Sequence, residues 1–126
     1  MADLHAVSPA TPIVLSHRPW GWYTVLGEPD DDPIAAVKIL RVDPGQMLSL
    51  QTHELRRERW IPINNGLGAI IGDEEIALKA QCIYEIPAGV QHRLFDKSGL
   101  GGSVIEVMYG IYDENDITRL KDMYVR

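Results

Sequence analysis

The chain has 126 residues, 45% of them hydrophobic and 24% charged, with a formal net charge of −6. That length buries one core without disulfide staples, and the single cysteine, Cys82, has no internal partner and reads as a half-buried strand residue beside Ile83. The basic residues are scattered, which argues against nucleic acid, whose phosphates need a basic patch.

No apolar run approaches the roughly 18 residues of a membrane-spanning helix. The start, Met1-Ala2-Asp3-Leu4-His5, has neither the basic residues nor the apolar stretch of a secretory signal. The expectation is a cytoplasmic protein without a membrane partner.

Residues 1–16 are rich in Ala, Pro and Ser and read as a flexible N-terminal arm. Such an arm can lie across a neighbouring subunit, which is compatible with a homodimer. Residues 17–126 then read as one all-β domain of short strands separated by turn signals. Strands are expected over 22–26, 35–42, 47–53, 59–63, 67–71, 74–78, 83–86, 92–95 and 103–109. The breakers include Asp43-Pro44-Gly45, Asn64-Asn65-Gly66 and Pro87-Ala88-Gly89, and Gly72-Asp73 between two apolar runs is a hairpin signal. Only the C-terminus reads as helical: Asp113 or Asn115 is a candidate cap for a short helix through Met123, with Ile117, Leu120 and Tyr124 on one face.

Two segments carry the chemistry. The first runs from Pro44 to His53 and on to Glu58 and Trp60; the second is Ile86-Pro87-Ala88-Gly89-Val90-Gln91-His92-Arg93. Strand alternation puts Ser49, Gln51, His53 and Leu55 on one face and makes Glu58 and Trp60 a same-face pair on the next strand. His92 follows a Pro-x-Gly turn, which aims it rigidly. Imidazole nitrogen and carboxylate oxygen suit zinc, iron, manganese or nickel, so His53, Glu58 and His92 together form a candidate divalent-metal site. The competing reading is a polar strip over 51–54 with histidines that serve only as surface or hydrogen-bonded residues.

From Arg18 onward the chain resembles a cupin domain, specifically the C-terminal mannose-6-phosphate isomerase (type II) domain of enzymes that pair it with a mannose-1-phosphate guanylyltransferase. The resemblance rests on Arg18-Pro19-Trp20-Gly21, Pro44-Gly45-Gln46, Leu48-Ser49-Leu50-Gln51, His53, Arg56, Glu58 and Trp60. It continues with Ile86-Pro87-Ala88-Gly89, His92-Arg93-Leu94, Ile105-Glu106-Val107, Gly110, Asp116-Ile117, Arg119 and Asp122. It implies a double-stranded β-helix (jelly-roll) barrel with a metal inside its mouth. Nothing in the chain resembles the Gly-rich nucleotide loop of the guanylyltransferase.

The family pattern has His where this chain has Leu55 and again where it has Arg59. The metal set therefore carries over as His53, Glu58 and His92 with one imidazole missing. Three outcomes follow: Gln51 supplies an amide oxygen, the three residues act alone as a facial triad, or the metal is lost and a binding cavity remains.

The resemblance implies a stand-alone, metal-dependent sugar-phosphate isomerase, with zinc the first expectation and Fe(II), Mn or Ni the others. Its small-molecule partner is a sugar phosphate. Glu58 and Glu106 are the candidates for proton transfer, Arg56 and Arg93 for the phosphate, and Trp60 for stacking on the sugar. Lys38 and Arg41 are further candidates for the phosphate, though each reads first as a solvated charge. The alternatives are a repurposed cupin enzyme, such as a small-molecule tailoring enzyme or Fe(II) oxygenase, and a non-catalytic sugar-binding cupin.

Overall fold

The computed structural model describes residues 10–13, 16–23 and 33–121, which form twelve strands and, among the described residues, no helix. The strands are β1 Thr11–Pro12, β2 Ser16–Arg18, β3 Gly21–Tyr23, β4 Ile34–Val42, β5 Leu50–Thr52 and β6 Arg56–Pro62. They continue as β7 Leu67–Ile71, β8 Glu74–Ala77, β9 Cys82–Ile86, β10 His92–Asp96, β11 Gly102–Gly110 and β12 Thr118–Lys121. One antiparallel sheet has the order β1-β9-β6-β11-β4, a second has β12-β5-β10-β7-β8, and β2 pairs with β3.

Alternation along β6 and β11 builds the interior. Arg56, Glu58, Trp60 and Pro62 are all buried, as are Val104, Glu106 and Met108, while Arg57 and Arg59 between them are only half-buried. Val42, Trp60, Tyr84, Ile86 and Val104 from the first sheet join Leu67, Ala69, Ile71 and Leu94 from the second in one apolar cluster. The same inward rows end in Glu58, Glu106 and His92, so the interior is apolar at one end and carries titratable groups at the other. Sheet-on-sheet burial thus supports the functional end instead of being interrupted by it.

Close backbone approach is needed at Gly68, which pairs with Phe95 across β7 and β10; a Cβ there would run into the Phe95 ring. The expected hairpin is present, with Ile71 opposite Glu74 and Gly72 at φ 62°. Cys82 is half-buried in β9, opposite Pro12. Of the segment read as an arm, residues 1–9 lie outside the described residues, Thr11–Pro12 pairs with β9, and Ser16 opens β2.

The C-terminal helix expectation is corrected: Thr118–Lys121 is a strand, with Thr118 opposite Thr52 and Arg119 opposite Gln51 on β5. Residues 122 and 123 lie outside the described residues. A helix of about ten residues is marginal alone, whereas the free edge of β5 offers backbone partners for every peptide group laid along it. Asp113 does accept a hydrogen bond from the Asn115 backbone N–H at 2.9 Å, yet the Asp116 N–H bonding back to the Asp113 carbonyl closes a turn there. The strand expected over 47–53 is shorter, with Met47 making an isolated bridge to Phe95 before β5 begins. The strand expected over 22–26 is seen as Gly21–Tyr23, and 24–26 lie outside the described residues.

Candidate metal and substrate site

His53 leaves β5 at the start of the turn into β6, and two separate pieces of chain hold it. Its carbonyl accepts the Gly89 N–H at 2.7 Å, from the Pro-x-Gly turn between β9 and β10. Its Nδ1 donates to the Asp116 carbonyl at 2.6 Å. The Asp116 carboxylate then takes the Glu54 and Leu55 N–H groups, each at 2.9 Å, pinning the β5–β6 turn. Burial would raise the Asp116 pKa, but those two N–H bonds, with the nearby Arg56 charge, hold it below the ordinary carboxylate value.

His92 opens β10 directly across from Gln51 on β5. Its Nδ1 donates to the Val90 carbonyl at 3.0 Å. That bond leaves the lone pair on Nε2, and Nε2 is a buried nitrogen with no hydrogen-bond partner. Burial lowers the His92 pKa against the opposing pull of Glu58, so the ring is neutral and its lone pair available at pH 7.

Glu58 is the centre of the cluster. One oxygen, Oε1, lies 3.3 Å from His53 Nε2; the other, Oε2, lies 3.9 Å from His92 Nε2 and accepts the Trp60 indole N–H at 3.2 Å. Burial pushes its pKa up, yet the Glu106 hydrogen bond and the charges around it win, and the carboxyl stays ionised. Glu106 is the opposite case: burial, the hydrogen bond with Glu58 and the Glu58 charge push it up to about 9. Glu106 therefore keeps its proton at neutral pH and donates it to the Glu58 carboxylate. Two adjacent carboxyl groups are thus held in different protonation states by environment alone.

The donor atoms of His53, Glu58 and His92 all lie within 4.8 Å of one another. Both imidazoles spend Nδ1 on a backbone carbonyl and turn a lone pair toward the carboxylate, which is the outer arrangement a metal-binding histidine requires. The orphaned His92 Nε2 and the chemistry of this donor set fit a divalent ion such as zinc. One group stands in the way. Arg56 Nη2 donates to His53 Nε2 at 3.1 Å and to Glu58 Oε1 at 3.2 Å, and its Nε reaches the same oxygen at 3.3 Å.

A cavity of about 280 Å³ opens beside this cluster; Lys38, Gln51, His53, Arg56, Glu106 and Tyr112 are in its wall, with Glu114 and Asp116 nearer the C-terminal loop. Glu58 and His92 do not line it; Glu58 touches the wall residues His53 and Arg56, and the His92 ring lies 5.0 Å from that of His53. Lys38 is directly opposite Glu106 on the edge strand β4, and its Nζ lies 4.6 Å from the centre of the Tyr112 ring; the Arg56 guanidinium lies 5.2 Å from the same ring.

The structure thus brings together Gln51, His53, Arg56, Glu58, His92 and Glu106. It places two expected residues elsewhere. Arg93 alternates with His92 to the other side of β10, where it donates to the Leu48 and Lys121 carbonyls at 2.8 and 3.1 Å. Trp60 is 2% exposed and packs edge-on against His92 at 5.6 Å, positioning Glu58 without facing the cavity. The two departures from the family pattern also fall outside the site. Leu55 is half-exposed and absent from the cavity wall, and Arg59 pairs with Glu85 at 2.6 Å on the outer side of β6. Sequence reasoning missed Tyr112 and the clamp formed by Asp116. Asp116 lies 63 residues from His53, so only its place in the family segment marked it.

Residues 11–122 match the family described as mannose-6-phosphate isomerase C-terminal. The chain is 40% identical over 111 residues to xanthan biosynthesis protein XanB of Xanthomonas campestris pv. campestris (strain B100), which covers 87% of this chain and 23% of XanB. It is 36% identical over 111 residues to alginate biosynthesis protein AlgA of Pseudomonas aeruginosa, covering 87% of this chain and 22% of AlgA. The chain therefore spans less than a quarter of these relatives. Among solved structures, the sugar 3,4-ketoisomerase QdtA of Thermoanaerobacterium thermosaccharolyticum superposes with a TM-score of 0.69 at 22% identity, covering 93% of this chain and 90% of QdtA. A dTDP sugar isomerase from Desulfovibrio desulfuricans gives 0.73 at 11% identity, covering 91% and 84%. These two likenesses establish the fold, and the match along nearly the whole described chain establishes the kinship: the chain belongs to the mannose-6-phosphate isomerase C-terminal family, with the cupin architecture of sugar isomerases.

Proposed function

We propose that this chain is a metal-dependent sugar-phosphate isomerase of the mannose-6-phosphate type. The observation that carries the reading is a buried His–Glu–His donor set beside the cavity that His53 and Glu106 line. Family membership supports the reaction class, and a cavity of about 280 Å³ suits a single hexose phosphate.

Interconverting an aldose and a ketose moves a proton between neighbouring carbons and another between their oxygens. A divalent ion, zinc in the first instance, would be held by His53 Nε2, Glu58 and His92 Nε2, with Gln51 across from His92 as a further oxygen donor, and would act there as a Lewis acid. Glu106 faces the cavity beside Glu58 and is the group placed to take a proton from the substrate and return it. Lys38 and Arg56 supply cations at the cavity for the phosphate, Arg56 through its planar fork. Tyr112 offers a ring face beside them.

The test is interconversion of mannose 6-phosphate and fructose 6-phosphate by the purified protein with zinc, followed with and without a chelator. The chelator abolishes turnover, His92→Ala loses the metal, and Glu106→Gln keeps the metal while kcat falls on the order of 10²–10⁴-fold. A wild-type protein that binds the ion and turns over neither sugar phosphate sinks the isomerase reading. Arg56 in the donor corner favours one other reading, a sugar-binding cupin without turnover. That reading is supported by a metal-free protein that binds the sugar phosphate in calorimetry and leaves it unchanged.

A further inference from the structure

We propose that Arg56 is a resident cation of the donor corner, which a divalent ion must displace, so that the guanidinium swings between a metal-free plug and a cavity-facing position. Its Nη2 sits where two lone-pair atoms converge, His53 Nε2 and Glu58 Oε1, which are 3.3 Å apart and each within 3.2 Å of it. It thus occupies the place, and satisfies the same two donors, that a bound ion would. Glu58 is 2% exposed and its Oε1 takes two N–H groups of the Arg56 fork, so Arg56, itself only 8% exposed, is the cation packed against that buried carboxyl. Two cations within ~4 Å in a buried corner repel strongly, so the arginine and the ion exclude each other.

The plug also separates compartments. Arg56 is in the cavity wall and in contact with Glu58, which is not, so its departure opens Glu58 to whatever fills the cavity. The exit is marked by the Tyr112 ring, 5.2 Å from the guanidinium and shared with Lys38. Displacement moves the Arg56 charge away from the donors and toward Lys38, and so couples arrival of the metal to assembly of a two-cation pocket for an anionic group.

The inference rests on the metal reading above, and zinc titration of the metal-free protein against a competing fluorescent chelator tests both. Arg56→Met removes the competitor, and its zinc dissociation constant falls by at least about tenfold relative to wild type. Its thermal midpoint drops without zinc and recovers more on zinc addition than that of wild type. Arg56→Gln, which keeps polar atoms for the buried corner but carries no charge, covers the case in which the methionine variant does not fold without metal; it too binds zinc more tightly than wild type. Equal or weaker zinc binding by both variants overturns the role given to Arg56 and leaves the metal site standing. Absence of zinc binding in wild type and both variants overturns the metal site itself.

Discussion

Trp60 shows how far a single buried ring reaches. Its indole N–H holds Glu58 Oε2 while its edge packs on His92, so it orients two of the three candidate ligands without meeting the cavity. Trp60→Phe keeps an aromatic ring and removes the donor. Hydrogen bonds to charged groups contribute about 1.5–3 kcal/mol, so urea denaturation of the metal-free protein should show a loss in that range. Outer partners of metal ligands change affinity by about 10–100-fold, and zinc titration of the same variant checks that second effect. At this scale His53, Glu58 and His92 could be grouped from the sequence by their ligand chemistry and the family resemblance, while alternation alone left open which face is interior; the structure has all three buried and close together. Arg56 and Arg93 read alike there, each close to a proposed ligand. The difference between them is one of parity: Arg56 shares the inward face of Glu58, whereas Arg93 is one residue out of step with His92. The same parity argument turns Arg59 outward, while Leu55, which shares the parity of His53, lies in the β5–β6 turn, 48% exposed and away from the cavity wall.

Among the connecting elements, the turn from β10 to β11 is organised by one carboxylate. Asp96 accepts N–H bonds from Gly45, Ser98, Gly99 and Gly101 at 2.9–3.1 Å and the Ser98 hydroxyl at 2.6 Å. The Ser98 hydroxyl bond, then the Gly45 N–H, hold its pKa well below the ordinary 3.8. Because the folded value lies below the unfolded one, the stabilisation is full above about pH 4 and is lost as pH falls through the folded pKa. Asp96→Asn should therefore lower stability at neutral pH and flatten its fall below about pH 4, as read from thermal midpoints across pH 2–7. Gly68 makes a separate demand, since β10 crosses it with the Phe95 ring against its backbone. Gly68→Ala should cost about 1–3 kcal/mol, the usual range for overpacking, measured by chemical denaturation. The central strands were legible as elements because their apolar residues alternate and turn residues bound them. The last strand was not. Over 113–123 the apolar spacing also fits a helix, and only the unpaired edge of β5, a feature of the assembled sheet, decides for β12.

At the scale of the whole molecule, the candidate ligands belong to both sheets. Glu58 is in β6 of the first, while His92 is in β10 of the second and His53 follows β5 beside it. An ion held by all three would cross-link the two layers at their polar end. Zinc at about 100 times its dissociation constant should then add about 2.7 kcal/mol of stability, seen as a rise in thermal midpoint that a chelator reverses. The division of the interior into an apolar and a titratable end was only half visible beforehand. Alternation shows which residues turn inward, but the register that sets Gln51 against His92 and Lys38 against Glu106 comes from pairing across the sheets.

The Asp116 clamp has a consequence in time. His53 is tied to Gly89 and to Asp116, which lie 36 and 63 positions later in the chain, and β12 completes the sheet beside β5. During synthesis the strands from β4 to β11 are all available before that loop emerges. His53 therefore comes into final alignment last, when the C-terminal stretch closes over a core already laid down. A growing chain halted at Gly110 would present most of its hydrophobic framework while the His53 ring still lacked the carbonyl that fixes its Nδ1.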